Sequence, residues 1–283
     1  MSNRRLKVGH TGITWRNPDE EQGIKCISEL GFDYIEVFAR VMKAFHDQGR
    51  ADICKEYNIP LISCYYSGNL VDPALREEEI TRLSELADVS FGMGARFATF
   101  GGSAIPRKTF NFNENKKYMV EFINHVAKIF DDKGIRLCFH PHTGTPVETE
   151  AEIRSFMDAV DTKYVGFAPD IGQIQKGGSD ALKVTKDYLS IINLVHFKDF
   201  CGKVEFDEEG KEIDQSGFAC YCPLGQGVVD LKGILDLLED YQDFKGPIMV
   251  ELDGTSRMTM SAEEAVTINK KYMEEQGYKL TKR

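Results

Sequence analysis

Short apolar, β-rich runs alternate with amphipathic stretches along nearly the whole 283-residue chain, a pattern typical of strands connected by helices. The predicted strands are residues 6–12, 34–38, 61–67, 96–102, 136–142, 165–170, 192–199 and 247–253. The predicted helices include residues 19–30, 50–57, 73–93, 115–133, 150–160, 180–189, 231–241 and 262–276. Eight strand-helix units in this length predict one α/β domain, a (β/α)₈ TIM barrel over residues 1–283.

Local signals favour the closed barrel over an open doubly wound sheet. Gly31 and Gly134 directly follow predicted helices, where glycine ends a helix before the next strand. No Gly-x-Gly-x-x-Gly motif follows the first strand, which argues against a dinucleotide-binding sheet. The connection after strand seven, residues 200–227, is long, and residues 203–213 within it predict a hairpin insertion. Long βα connections lie at the catalytic face of a barrel, so this one is a candidate for part of a lid.

Charge and cysteine usage exclude several classes of protein. The formal net charge of -10 repels nucleic-acid backbones and anionic membranes, and the basic cluster from Lys279 to Arg283 resembles a solvated tail. The seven cysteines form no Cys-x-x-Cys pair, as expected in a reducing compartment. The N-terminus lacks a signal-peptide segment, and no run approaches about 18 apolar residues. We therefore predict a cytoplasmic protein with no nucleic-acid or membrane partner.

Ionisable side chains stand at the C-terminal ends of four consecutive predicted strands. They are His140 and His142 on strand five, Asp170 on strand six, His196, Lys198 and Asp199 on strand seven, and Glu251 and Asp253 on strand eight. Parallel barrel strands are buried on both faces, so charged groups there need partners. Alternate residues share a face, which pairs His140 with His142, His196 with Lys198, and Glu251 with Asp253. Such imidazole and carboxylate groups predict one site for Mn²⁺, Co²⁺, Zn²⁺ or Fe²⁺, with Mg²⁺ alone less suited.

Each of these residues has a simpler explanation when it is taken alone. An isolated His196 near a strand end is more often a core or surface histidine, and Asp170 before a helical segment is a typical helix cap. The coincidence of four strand ends is what favours a shared metal, because buried unpaired charge is rare.

Three further residues are predicted to contact a substrate. Glu36 ends strand two, Trp15 follows strand one, and Tyr65 lies on strand three, where an aromatic ring offers a surface for a sugar. The alternatives are a solvated or ion-paired carboxylate for Glu36 and core or rim positions for the two aromatic residues.

Several segments together resemble one family. They are residues 12–17 (GITWRN), 139–145 (FHPHTGT), 169–172 (PDIG), 195–199 (VHFKD), 222–230 (CPLGQGVVD) and 250–253 (VELD). Over nearly its whole length the chain resembles the xylose isomerase-like TIM-barrel superfamily of sugar isomerases and epimerases, which also contains endonuclease IV. Within that superfamily it is most similar to inosose (2-keto-myo-inositol) dehydratases.

The resemblance implies a set of metal ligands and a substrate class. One divalent ion, Mn²⁺ before the others, would be held by His140 or His142, Asp170, His196 and Glu251. Most superfamily members carry a glutamate on strand five, so the sequence leaves open which histidine binds metal and which contacts substrate. Lys198 resembles the family's substrate-binding lysine. A sugar or cyclitol substrate and a homodimer are also implied.

The implied chemistry starts from a metal that polarises a keto-sugar or keto-cyclitol carbonyl and stabilises an enediolate. We expect Glu251, His140 or His142 to remove the α-proton and Lys198 to stabilise the oxyanion. Loss of a β-hydroxyl then gives dehydration, return of the proton gives isomerisation or epimerisation, and loss of an aglycone cleaves a 3-keto-glycoside. We favour the dehydratase, with the other two outcomes as alternatives.

Two rival functions belong to other classes. An abasic-site endonuclease would need further histidine and acidic ligands and a basic DNA-binding face, which an acidic chain with six histidines does not offer. A non-catalytic sugar-binding barrel would show no turnover with or without metal.

Overall fold

The computed structural model describes residues 4–204, 208–209, 220–254 and 258–282. Eight parallel strands form one sheet, and they are β1 (Val8–Thr11), β2 (Tyr34–Phe38), β3 (Leu61–Gly68), β4 (Phe97–Gly102), β5 (Arg136–Phe139), β6 (Val165–Phe167), β7 (Val195–Phe197) and β10 (Ile248–Val250). Their order in the sheet is β6, β5, β4, β3, β2, β1, β10, β7. Parallel bridges between Phe167 and Ile192 and between Asp170 and His196 join the two edges, so the barrel is closed as predicted.

Helices follow the strands around the barrel. They are α1 (Glu20–Glu29), α2 (Ala39–Asp47), α3 (Ile53–Glu56), α4 (Arg76–Gly92), α5 (Phe112–Asp132), α6 (Glu150–Met157), α7 (Ile171–Lys176), α8 (Ala181–Asp187), α9 (Leu231–Asp240) and α10 (Ala262–Glu275). Sequence analysis did not identify α2 or α7. Helix α2 begins at Ala39, directly after β2. Its N-cap residue is Phe38, whose side chain makes no capping hydrogen bond, so the sequence carries no capping residue that would predict the start of this helix. None of the described helices has the length and apolar character to cross a membrane.

The side chains that point into the barrel form two layers along its axis. One layer is apolar, and the other, called the polar level below, carries ionisable and hydroxyl groups. Cys138, Ala168, Leu194 and Met249 form a buried apolar cluster, packed by Tyr34, Ile62 and Phe97. Two positions further along the chain stand Glu36, Thr99 and His196, within their strands, and His140, Asp170 and Glu251, beyond the ends of β5, β6 and β10. The polar level thus lies at the C-terminal end of the barrel, where active sites of this fold are built.

The connection after β7 contains a short antiparallel pair, β8 (Asp199–Phe200) and β9 (Tyr221–Cys222). This pair confirms the predicted hairpin insertion, although most of the predicted tip at residues 203–213 lies outside the described residues. The Asp199 carboxylate accepts hydrogen bonds from the backbone N–H groups of Gly225, Gly227 and Val229 at 2.9 to 3.2 Å. Asp199 therefore anchors the returning end of the insertion to the barrel.

Barrel closure yields a stability prediction at Gly246. A Cβ atom added there would lie 1.7 Å from the backbone oxygen of Asn193, whose N–H donates to the Phe167 backbone oxygen across the closing seam. We expect Gly246→Ala to reduce the free energy of unfolding by about 1–3 kcal/mol, because the clash is with backbone atoms. Urea denaturation measures the change.

The matched control is Gly92→Ala at the end of α4, where nothing lies within 4 Å of the new Cβ. Its stability should stay within about 0.5 kcal/mol of the wild type. Equal stability of the two variants would contradict the proposed importance of the seam.

Candidate active site

The polar level of the barrel brings together residues from four strand ends and from β2. His140, Asp170, His196, Lys198, Glu251, Asp253 and Glu36 are all at most 5% exposed. The sequence-predicted convergence of strands five to eight is therefore present in the structure.

One group of potential metal ligands is formed by His140, Asp170 and His196, whose ligand atoms lie within 4.8 Å of one another. The bridge that closes the barrel pairs Asp170 with His196 directly. Asp170 also caps α7, because one carboxylate oxygen accepts from Gln173 N at 2.9 Å, while its Oδ2 faces the charged cluster with Lys198 Nζ 3.1 Å away. The helix-cap and ligand interpretations of Asp170 are thus compatible.

A second group shares His196 with Glu36 and Glu251. Glu36 Oε1 lies 2.9 Å from His196 Nε2, and Glu251 Oε2 contacts His196 Nδ1, yet neither ring nitrogen makes a hydrogen bond of acceptable geometry. The hydroxyls of Ser63 and Thr99 donate to Glu36 Oε2 at 2.5 and 2.7 Å. Burial alone would lower the pKa of His196, but Glu36 and Glu251 outweigh it and raise the pKa well above its usual value.

Lys198 joins the carboxylates of the site. Its Nζ lies 2.5 Å from Glu251 Oε1, 2.8 Å from Asp253 Oδ2 and 3.1 Å from Asp170 Oδ2. Burial disfavours the ammonium form, but these three carboxylates outweigh burial and raise the pKa of Lys198 well above its usual value. Gly172 makes room for the lysine stem, since a Cβ there would lie 2.7 Å from Lys198 Cγ.

The carboxyl groups of the site differ in pKa. Burial raises the pKa of Asp170 to about 6, partly offset by Lys198. Burial acts in the same direction on Glu251, but there Lys198 and His196 outweigh it and hold the pKa well below its usual value. His140 behaves as a neutral imidazole, because burial and the neighbouring His196 lower its pKa well below its usual value.

Charge and donor chemistry both fit a divalent cation. Glu36, Asp170, Glu251 and Asp253 supply four buried carboxylates, whereas Lys198 and the half-exposed Arg16, 3.9 Å from Asp253, supply two cations. A divalent ion would balance the remaining two negative charges, with His196 in the neutral form that coordination requires. Nδ1 of His140 is buried without a hydrogen-bond partner, whereas the nitrogens of His196 and Oδ2 of Asp170 face charged groups in ion-pair contacts.

His142 has partners different from those of His140. Its Nδ1 lies 2.6 Å from the Thr143 backbone oxygen, and its Nε2 lies 2.8 Å from the side-chain nitrogen of Gln173. Strand β5 ends at Phe139, so His140 and His142 do not continue one strand as the sequence predicted. Both nitrogens of His142 are therefore engaged outside the group that contains His140.

The predicted substrate contacts fall in different places. Tyr65 meets His140 edge-to-face with ring centroids 5.4 Å apart, and it lines a narrow cleft together with Glu36 and Glu251. Trp15 instead packs on α1, since a Cβ on Gly23 would lie 3.0 Å from its ring. The geometry thus places Tyr65 and Glu36 beside the charged cluster.

Sequence reasoning missed several polar residues of this site. Ser63 and Thr99 position Glu36, Gln173 contacts both His142 and Thr143, and Tyr221 covers Lys198. The hydroxyl residues inside predicted strands three and four were the available signal for the first pair. Tyr221 lies 23 positions after Lys198, beyond the insertion, so no local pattern indicated its position.

Comparison with known proteins identifies the family. The model of the xylose isomerase-like TIM barrel family matches residues 24–276, and the chain belongs to that family. Inosose dehydratase 2 of Bacillus cereus is 27% identical over 300 residues, covering 96% of this chain and 98% of the relative.

Two solved structures share the fold. The IOLI protein, crystallised with a zinc atom, has a TM-score of 0.75 at 19% identity and covers 96% and 98% of the two chains. The 3-keto-D-glucoside 4-epimerase of E. coli has a TM-score of 0.70 at 14% identity and covers 96% and 99%. The predictions of the family, the barrel and an enzyme of the lyase or isomerase kind are confirmed.

The ion-pair cluster yields a prediction for Lys198. Replacing Lys198 by Met leaves Asp170, Glu251 and Asp253 buried beside one another without their shared cation. In metal-free protein this change should reduce the free energy of unfolding by about 3–5 kcal/mol, because uncompensated buried charge is strongly destabilising. Chemical denaturation in the presence of a chelator measures it.

Lys55→Met is the control, since Lys55 pairs with Asp52 at 2.5 Å on the surface with 74% of its side chain exposed. No measurable loss of stability is expected there. If Lys198→Met were as stable as Lys55→Met, the three carboxylates would not depend on the ammonium.

Proposed function

We propose that the chain is a divalent-metal-dependent dehydratase that removes water from a keto-cyclitol of the inosose type. The observation that carries this proposal is the buried cluster of four carboxylates, the Lys198 ammonium and two imidazoles, in which Nδ1 of His140 has no hydrogen-bond partner. Full-length similarity to an inosose dehydratase supports the reaction class.

His140, Asp170, His196 and Glu251 are the proposed metal ligands, with Mn²⁺ as the first candidate and Co²⁺, Zn²⁺, Fe²⁺ and Mg²⁺ as alternatives. His140 is favoured over His142 because both nitrogens of His142 already have partners. The metal would supply Lewis-acid polarisation of the substrate carbonyl.

Glu251 is the proposed base. Its carboxylate stays ionised because Lys198 and His196 outweigh the effect of burial on its pKa. It also borders the narrow cleft that Tyr65 lines. Glu251 takes the α-proton and a second acid protonates the β-hydroxyl as it leaves, so the substrate loses one water and dehydration needs no oxidant or reductant.

Lys198 is proposed to stabilise the negative charge that develops on the substrate oxygen. Its three carboxylate partners keep it protonated and hold its position directly after β7. His142 and Glu36 are proposed to contact substrate hydroxyls, and Tyr65 to provide a ring surface. The contribution of Trp15, the homodimer and the cytoplasmic location stay predictions.

Isomerisation, epimerisation and cleavage of a 3-keto-glycoside share the same proton abstraction and differ in what leaves the substrate. We favour dehydration because the full-length relative is an inosose dehydratase, whereas the epimerase is similar in fold at 14% identity. An assay of inosose, free ketoses and 3-keto-glycosides side by side separates these reactions.

Metal binding and turnover provide the test. Protein loaded with Mn²⁺ should dehydrate inosose and lose that activity on chelation, and His196→Ala should retain well below one metal per chain. Metal content is measured by elemental analysis, and dehydration by the absorbance of the enone product. Glu251→Gln should lower kcat by at least about 100-fold, since it removes the proposed base.

The control is His125→Ala, which changes an exposed histidine of α5 and should leave metal content and turnover unchanged. Full metal occupancy that persists in both His196→Ala and Glu251→Gln would refute the ligand assignment. Turnover of another substrate class in place of inosose would replace the dehydratase by one of its alternatives.

A further inference from the structure

Tyr221 covers the charged cluster from the side of the insertion. It lies on β9, which pairs with β8 directly after Lys198, and its side chain is fully buried. The Lys198 ammonium stands 4.5 Å from the centroid of its ring. The strand pairing therefore fixes an aromatic ring over the ammonium that the proposed reaction uses.

The phenolic hydroxyl of Tyr221 is buried and has no hydrogen-bond partner. Thr143 lies near it and contributes to its pKa, but the two hydroxyls do not meet the geometry of a hydrogen bond, and Thr143 Oγ1 donates instead to Gln173 Oε1 at 2.7 Å. A buried donor without a partner costs free energy, so a partner supplied from outside the chain would be stabilising.

The surroundings of this hydroxyl are those of a substrate site. Burial raises the pKa of Tyr221 well above its usual value, so the phenol keeps its proton and remains a donor. The ring stands over the Lys198 ammonium, which itself contacts Asp170 and Asp253, so Tyr221 lies beside residues proposed to bind metal and substrate. Thr143, which lies near the Tyr221 hydroxyl, is also in contact with His142 through its backbone oxygen.

We propose that Tyr221 is a substrate-binding residue that donates a hydrogen bond to an oxygen atom of the polyhydroxylated substrate while its ring covers Lys198. This proposal rests on the proposed function for the identity of the substrate. Because a site built to hydrogen-bond an oxygen discriminates against a ligand that lacks it, Tyr221 would select for hydroxyl-rich rings.

Tyr221→Phe tests the hydroxyl alone, because the ring over Lys198 is kept. We expect kcat/KM for inosose to fall about 10- to 100-fold, the effect of losing one hydrogen bond in a desolvated site. The melting temperature should stay at or above the wild-type value, since no native hydrogen bond is removed. Binding of myo-inositol to metal-loaded protein, measured by calorimetry, should weaken in parallel.

Tyr66→Phe is the matched control. The Tyr66 hydroxyl is also buried without a partner, but its ring packs edge-to-face on Phe130 of α5, away from the charged cluster. Turnover and myo-inositol binding by this variant should equal those of the wild type. A drop of the same size in both variants would show that the loss at Tyr221 reflects general packing, and it would overturn the proposal.

The two proposals fail separately. If the wild type dehydrates inosose and Tyr221→Phe stays within twofold of it in kcat/KM and in myo-inositol affinity, the role of Tyr221 is refuted and the dehydratase stands. If the wild type binds myo-inositol without dehydrating inosose and Tyr221→Phe binds it more weakly, the dehydratase is refuted and the binding role of Tyr221 stands. Absence of both turnover and myo-inositol binding in the wild type would refute both.

Discussion

A single buried ammonium group, Lys198 Nζ, organises the mouth of this barrel. It lies within 3.1 Å of three carboxylates from two other strand ends, Asp170 after β6 and Glu251 and Asp253 after β10, and these groups depend on it to remain ionised side by side in the interior. Its charge lowers the pKa of Glu251, and its stem requires a glycine at position 172. The positions of the proposed base and of one proposed metal ligand, Asp170, therefore depend on the same cation.

The same backbone pairing closes the barrel and brings two residues of the site together. The bridge between Asp170 and His196 completes the sheet and sets these two groups beside each other. Asp170 has two roles, because one oxygen caps α7 and the other faces the Lys198 ammonium at 3.1 Å. A ligand that depends on the closing seam is held by backbone pairing, which is the rigid support that a metal site needs.

His140 affects the charge of the site because its imidazole is neutral. The site holds four buried carboxylates and the cations Lys198 and Arg16, and one divalent ion would balance the remaining negative charge. A fifth carboxylate would leave an uncompensated charge in a buried position. The neutral imidazole of His140, whose pKa burial lowers, supplies a ligand atom without adding that charge.

The sequence by itself determined the eight strands, their closure into a barrel and the strand ends that carry the chemistry, because strand periodicity and buried charge are local signals. It did not reveal helix α2, which has no capping residue, or decide between His140 and His142, which differ only in their tertiary partners. The tertiary structure alone placed Ser63 and Thr99 on Glu36 and Tyr221 over Lys198. Those contacts join residues far apart in the chain, and only closure of the barrel and pairing of β8 with β9 bring them together.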